Sequence, residues 1–308
     1  MKAIMYHYVR KYSDAFPNFR FLDFDNFRKQ LDFFDGNYGF VTFDEWCRYV
    51  SEGSVPSPRG KVLLTFDDAL SCHFQYVFPE LKARNLWGAF YVPTSPYADG
   101  RILDVHRIHL LCGAFEGRRL LEDALSIVTP DMISAEAREQ FDRAAYSGQV
   151  NYDGVTEFKK LLNYFVDYTY RSEVIDAIGR RFRFNFDMPN FYLTAEQIHE
   201  MSSSNMLIGS HTRTHPVMSR LSASEQAREI ESSFEFLSSI CRLPLRTYCH
   251  PYGGSSSFDE ETIRLLGEHD VDFSFSVESR EIDGDDRLRS IQSLPRFDCN
   301  RFQFGLAS

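Results

Sequence analysis

The sequence predicts an α/β fold, a parallel sheet interrupted by a mainly helical insertion, on three observations. Short apolar runs such as Val62-Leu63-Leu64, Phe90-Tyr91-Val92 and Leu207-Ile208 read as buried strands. Stretches with helical spacing separate them, and strand, helix, strand in this order is a parallel α/β signature. The rhythm stops after Val92 and resumes after Asn190.

In chain order, Ala3–Val9 reads as a first strand ending near His7 and Tyr8. Residues 25–34 follow as a helix, with Phe24, Phe27, Leu31 and Phe34 at helical spacing and Gly36 or Gly39 to stop it. Phe40–Phe43 is a strand or an extended entry into a helix over 44–50. Ser51–Gly60, with Pro56 and Pro58, is a turn-rich linker into the strand 61–66. A helix over 75–84 leads to the strand 87–92.

From about Asp104 to Phe186 the pattern is mostly helical, and Glu157–Thr169 sets Phe158, Leu161, Leu162, Phe165 and Val166 on one face. The expected division is therefore residues 1–103 and 187–308 as the sheet-bearing domain, with 104–186 as an inserted helical subdomain. Beyond it, Thr194 and Gln197 form a capping box for a helix through Met201. Strands are expected at 206–209, 247–249 and 271–277. Helices are expected at 221–240, opened by Ser222 and Glu225, and at 259–268.

With 308 residues the chain can bury a substantial core, and 43% hydrophobic with 25% charged residues is ordinary for a globular protein. The net charge of −10 and the lack of a Lys/Arg cluster argue against a nucleic-acid partner. Six scattered Cys, with no C-x-x-C pair, suit reduced thiols better than a zinc ribbon or a disulfide scaffold. The first ten residues show no apolar signal stretch, and no run reaches the ~20 residues of a membrane span. The expectation is a cytoplasmic protein without membrane insertion; the oligomeric state stays open.

The chemistry gathers at strand ends. Val62–Phe66 runs directly into Asp67-Asp68. An N-cap for the next helix accounts for one Asp but not easily for two, and paired carboxylates beside a buried strand call for a cation. After the strand at Gly209 comes Ser210-His211-Thr212-Arg213-Thr214-His215-Pro216. An H-x-x-x-H pair alone is often structural, and Pro216 argues against helical geometry at His215. Joined to an Asp, however, two His make a donor set that suits Zn²⁺ and leaves open positions for water. A third segment, Tyr248-Cys249-His250-Pro251-Tyr252-Gly253, also follows a short strand.

Together, Thr65-Phe66-Asp67-Asp68, Ser210-His211-Thr212-x-x-His215 and His250-Pro251-Tyr252-Gly253 resemble three motifs of the polysaccharide deacetylases, the NodB homology domain of carbohydrate esterase family 4. Met5-Tyr6-His7-Tyr8-Val9 resembles the branch whose chains open on a Tyr-His strand. The likeness spans roughly residues 1–97 and 190–300 and leaves out the insertion.

It implies a distorted (β/α)7 barrel of NodB type with its motifs at the carboxyl ends of the strands. It also implies one divalent metal ion, Zn²⁺ foremost with Co²⁺ or Ni²⁺ as alternatives, held by Asp68, His211 and His215. Asp67 is then the general base, and the Tyr252 N–H helps hold the oxyanion. The implied activity is removal of an N-acyl group, N-acetyl first, from an amino sugar or similar glycan, and the expected lack of an export signal points to a precursor in surface-polysaccharide assembly. A hydrolase of linear or cyclic non-sugar amides and a catalytically silent carbohydrate binder are the alternatives.

Two departures matter. The family's third motif often carries an Arg that orients the catalytic Asp, and Cys249 stands there instead. No Leu-x-His motif follows near the C-terminus, so the usual general acid is missing or relocated. His7, at the end of the first strand, is the preferred replacement; His250, His106 and His109 are further candidates. Arg296 can supply the missing cation near Asp67. His73 either covers the site or caps a helix. The substrate-binding set is His250, Pro251, Arg296 and His106, and the aromatic-rich insertion is a candidate lid.

Overall fold

A computed structural model describes residues 1–55, 60–133, 135, 139 and 151–307. The turn reading at Pro56 and Pro58 lies outside them. The chain forms two compact units, one of residues 1–11, 21–99 and 190–308, the other of residues 12–20 and 100–189.

Among the described residues the first unit holds nine strands: β1 Lys2–Tyr6, β2 Val9–Arg10, β3 Leu22–Asp23, β4 Val62–Phe66, β5 Ala89–Val92, β6 Leu207–Ser210, β7 Thr247–Cys249, β8 Phe273–Phe275 and β9 Phe297–Asp298. Seven make one sheet in the order β8-β7-β6-β5-β4-β1-β9, every pairing parallel. Leu294 bridges to Phe275 at the end of β8, while Phe297 and Asp298 pair with Ile4 and Met5 of β1. The segment 294–298 thus joins the two edges of the sheet. This is the distorted (β/α)7 barrel of NodB type.

Strand alternation sorts the side chains into two layers. Ile4, Tyr6, Leu64, Phe66, Phe90 and Ile208 pack outward with helix residues such as Phe27, Leu31, Leu81, Ile198 and Leu237. Ala3, Leu63, Ala89, Tyr91, Leu207, Cys249, Phe275 and Leu294 pack together on the other face, joined by Trp46 and Tyr49 of the helix Phe43–Glu52. Burial on both faces is why these strands read as continuous apolar runs.

The expected first strand is shorter than Ala3–Val9. It stops at Tyr6, and after His7 and Tyr8 the chain pairs Val9-Arg10 with Leu22-Asp23 in a separate two-stranded sheet. The expected helix over 75–84 begins as a π-helical turn, His73–Val77, before the α-helix Phe78–Ala83.

The second unit carries the helices Asp104–Ala114, Gly117–Ile127, Val155–Lys160 and Tyr168–Arg181, the third of which runs on into a π-turn at Leu161–Phe165. The single helix expected over 157–169 breaks at Val166, which is extended and bridges to Ile133. Asp167 then caps the next helix by accepting from the Thr169 N–H. Residues 12–20 join this unit through Phe16 and Phe19, whose rings pack on Phe184 and on Gly113 respectively. Among the described residues, no helix is long and apolar enough to cross a membrane.

Candidate active site

Asp67, His211 and His250 each follow directly on a strand, and the backbone of the neighbouring strand holds each there. The Asp67 N–H donates to the Tyr6 carbonyl, His211 to Val92 and His250 to Phe275. His7, Asp67, Asp68, His211 and Tyr252 are therefore delivered to the carboxyl ends of β1, β4, β6 and β7, where barrels of this kind carry their chemistry.

Asp67 is buried, and its counter-charge comes from the closing segment. Arg296 donates from Nη1 to Asp67 Oδ1 and from Nη2 to Oδ2, both at 2.8 Å. It also donates to Thr65 Oγ1 at 3.0 Å and to the Ser276 carbonyl at 3.1 Å. Cys249 Sγ lies 2.9 Å from Arg296 Nη2 and 3.5 Å from Asp67 Oδ2. Burial pushes the Asp67 carboxyl up, but Arg296, with His211 and His7 behind it, outweighs that and leaves it at about 2. Burial pushes the Cys249 thiol well up, so it stays neutral in the small space beside the guanidinium.

Asp68, His211 and His215 converge on one point. Their ligand atoms all lie within 4.8 Å of one another, and all three side chains are buried. His211 Nε2 is 3.6 Å and His215 Nε2 3.7 Å from Asp68 Oδ1. These gaps are long for hydrogen bonds but close to the roughly 3.4 Å that separates two ligands of a tetrahedral Zn²⁺. His211 Nδ1 sits 2.8 Å from the Cys249 carbonyl, which can only accept, so the proton is on Nδ1 and the Nε2 lone pair faces the cluster. Burial holds the His211 pKa below its usual value against the pull of Asp67 and Asp68, which keeps the imidazole a neutral donor. The donor set fits a borderline divalent cation.

The backbone here is unusual. Asp68, Thr212, His215 and Tyr252 all have positive φ, at 79°, 64°, 58° and 62°. Such conformations cost roughly 1–3 kcal/mol each in non-glycine residues and persist only where surrounding contacts fix them. Thr212 does part of that work, its Oγ1 accepting from the His215 N–H at 2.9 Å. The Tyr252 ring meets that of His215 edge-on, 5.0 Å between centroids.

The His7 side chain is partly exposed, its Nε2 3.9 Å from Asp67 Oδ2 and 4.0 Å from Asp68 Oδ2. His73 neither covers the site nor caps a helix. Fully buried against Phe66 and Phe90, it donates from Nε2 to the His7 carbonyl at 2.7 Å and so pins the residue behind the site. Burial lowers its pKa to about 4.

Two expected substrate contacts are corrected. His250 is turned into the protein, donating from Nε2 to the Gln292 carbonyl at 2.8 Å with its ring stacked on Phe258, and burial takes its pKa to about 3. Arg296 is 1% exposed, and its donors are committed to Asp67, Thr65, Cys249 and Ser276, so it has no face to offer a substrate. Pro251 is also buried, in the turn that sets Tyr252 and Gly253 at positive φ. His106 belongs to the second unit, fully buried, its ring 5.8 Å from that of His109.

Solved structures share this architecture. The Streptococcus pyogenes deacetylase PplD, in complex with acetate, aligns over 97% of this chain and 91% of its own at 17% identity, TM-score 0.59. A de-N-acetylase from Aggregatibacter actinomycetemcomitans aligns over 96% and 93% at 14% identity, TM-score 0.53. IcaB from Ammonifex degensii aligns over 96% and 90% at 20% identity, TM-score 0.51. Residues 170–280 match the family model for polysaccharide deacetylase. The fold is that of the polysaccharide deacetylases. The matched span takes in His211, His215 and Tyr252 of the deacetylase pattern and begins after Asp67 and Asp68. No curated protein matches the chain in sequence.

Proposed function

We propose that this protein is a metal-dependent deacetylase that removes an N-acyl group, N-acetyl first, from an amino-sugar-containing carbohydrate. One observation carries the reading. Two imidazoles and a carboxylate share a point, and a second carboxylate, held as an anion by Arg296, stands beside it. A pure binding site for a cation has no need of that second carboxylate.

Asp68, His211 and His215 would hold one divalent cation, Zn²⁺ before Co²⁺ or Ni²⁺ on the strength of the His₂Asp donors. When bound, such an ion supplies Lewis acidity to an amide carbonyl and to water. Asp67 accepts the proton of the attacking water. A carboxylate at about 2 is a weak base, and the acidity that such an ion would lend to water would offset that. The Tyr252 N–H, in the turn that follows His250, donates to the developing oxyanion. His7, within 4 Å of both carboxylates, hands a proton to the departing amine.

The test is acetate release from N-acetylglucosamine and its short oligomers, measured on chelator-stripped protein with and without added Zn²⁺. Release that needs the ion is the expected result. Turnover confined to linear or cyclic non-sugar amides moves the substrate class. Sugar binding without any release makes the protein a carbohydrate binder.

A further inference from the structure

The two His of the cation cluster sit on a loop whose backbone is unfavourable at both Thr212 and His215, and contacts inside the loop do not fully account for its shape. The helix Ala223–Ile240 supplies the rest. Glu229 Oε2 accepts from the Arg213 N–H at 2.8 Å and from the Thr214 N–H at 2.7 Å, while Oε1 accepts from Thr214 Oγ1 at 2.7 Å. One carboxylate thus satisfies two of the three amides lying between His211 and His215, together with a hydroxyl.

One turn further along the same face, Ser233 grips the start of the loop. Its only proton goes to the Ile230 carbonyl at 2.7 Å, so the 2.6 Å contact with Ser210 is donated by Ser210. Ser210 Oγ then accepts from the Thr212 N–H at 3.1 Å. Glu229 and Ser233 are four apart on a helix and therefore act on neighbouring points of one strip of backbone.

We propose that Glu229 is a positioning residue for the cation site: it holds the His211–His215 loop in the one shape that brings both imidazoles onto Asp68. This rests on the reading of Asp68, His211 and His215 as cation ligands. The carboxylate's hydrogen bonds go to Arg213 and Thr214, not to the three ligands. Its action is to remove alternatives, since a loop released from it is free to relax Thr212 and His215 out of the left-handed region and spread the two rings.

The probe is Zn²⁺ itself, its affinity for the full chain measured by competition with a chromophoric chelator. Apo thermal unfolding is recorded for every variant, and affinities are compared well below each transition. Glu229→Ala is expected to bind Zn²⁺ about 10–100-fold more weakly than wild type, the usual loss for an outer partner of a metal ligand. Glu229→Gln keeps an oxygen for the two amides and is expected to stay within about threefold, rescuing most of the loss. Thr214→Val, which removes a single contact and leaves Glu229 in place, covers the case in which the alanine variant does not fold; a loss of about threefold or more is expected there.

Unchanged affinity in Glu229→Ala, or in Thr214→Val where the alanine variant is not folded, overturns the proposal; so does a Gln variant as weak as the Ala variant. A wild-type chain that binds no Zn²⁺ removes the cation site itself, a separate failure read in the same titration before any variant is made.

Discussion

Replacing Arg296 with Met is expected to lower the unfolding free energy at neutral pH by about 3–5 kcal/mol, the usual result when one partner of a buried, hydrogen-bonded ion pair is removed. The reason is the state in which Asp67 is left. Its carboxylate is 2% exposed, and both of its oxygens take a hydrogen bond from the guanidinium. Without Arg296, burial is opposed only weakly and drives the carboxyl pKa upward.

The sign of the pH dependence follows. In the wild type the folded pKa, about 2, lies below that of an ordinary Asp, so Asp67 contributes stability above about pH 4 that is lost as pH falls through about 2. In the variant the folded pKa lies above the unfolded value, and protonation favours the folded state. The gap between the two proteins in urea denaturation should therefore be widest near neutral pH and should narrow in acid. Arg296→Lys should fall between them, because an ammonium cannot reproduce the two-point grip on Asp67. A gap under about 1 kcal/mol that ignores pH is what an exposed pair gives, and would mean that the closing segment does not hold Asp67.

Asp67→Asn is expected to reduce acetate release by about 10²–10⁴-fold, the range for a lost general base. Zn²⁺ affinity should stay within about threefold of wild type, because Asp67 is outside the Asp68, His211, His215 cluster. Some stability is lost as well, since Arg296 then faces a neutral amide, so turnover is compared per zinc-loaded, folded molecule. Equal loss of turnover and of zinc would make Asp67 a ligand and not a base. Retained turnover would assign the proton transfer to another group, with His7 the nearest.

Much of the fold was legible because two kinds of signal are local. Strands buried on both faces leave uninterrupted apolar runs, and the Thr194–Gln197 and Ser222–Glu225 boxes mark helix starts with side chains three residues apart. The break at Val166 was hidden because its apolar spacing continues the preceding helix, while only Asp167 hints at a new cap.

In the site, Asp67-Asp68 and the two His announce themselves by type and spacing. What surrounds them depends on pairings of distant residues. Arg296, expected as the cation near Asp67, does meet it, but across 229 positions and only because segment 294–298 closes the sheet, so its two-point grip is a matter of topology that no window of sequence contains. His250 was misplaced for a related reason, since a motif's spacing says nothing of which way a ring turns at the end of a strand. Glu229 went unnoticed because a Glu on an amphipathic helix reads as a solvent-facing charge. The one signal available was its place among Gln226, Ile230 and Ser233, all buried on that same face.

The most direct test of the central claim is an anomalous difference map recorded at the zinc edge from crystals grown with Zn²⁺. The expected result is a single strong peak within bonding distance of Asp68 Oδ1, His211 Nε2 and His215 Nε2, with the Arg296 pair to Asp67 intact beside it. No peak there, or zinc bound through Cys249 or elsewhere with those three side chains uninvolved, would contradict it.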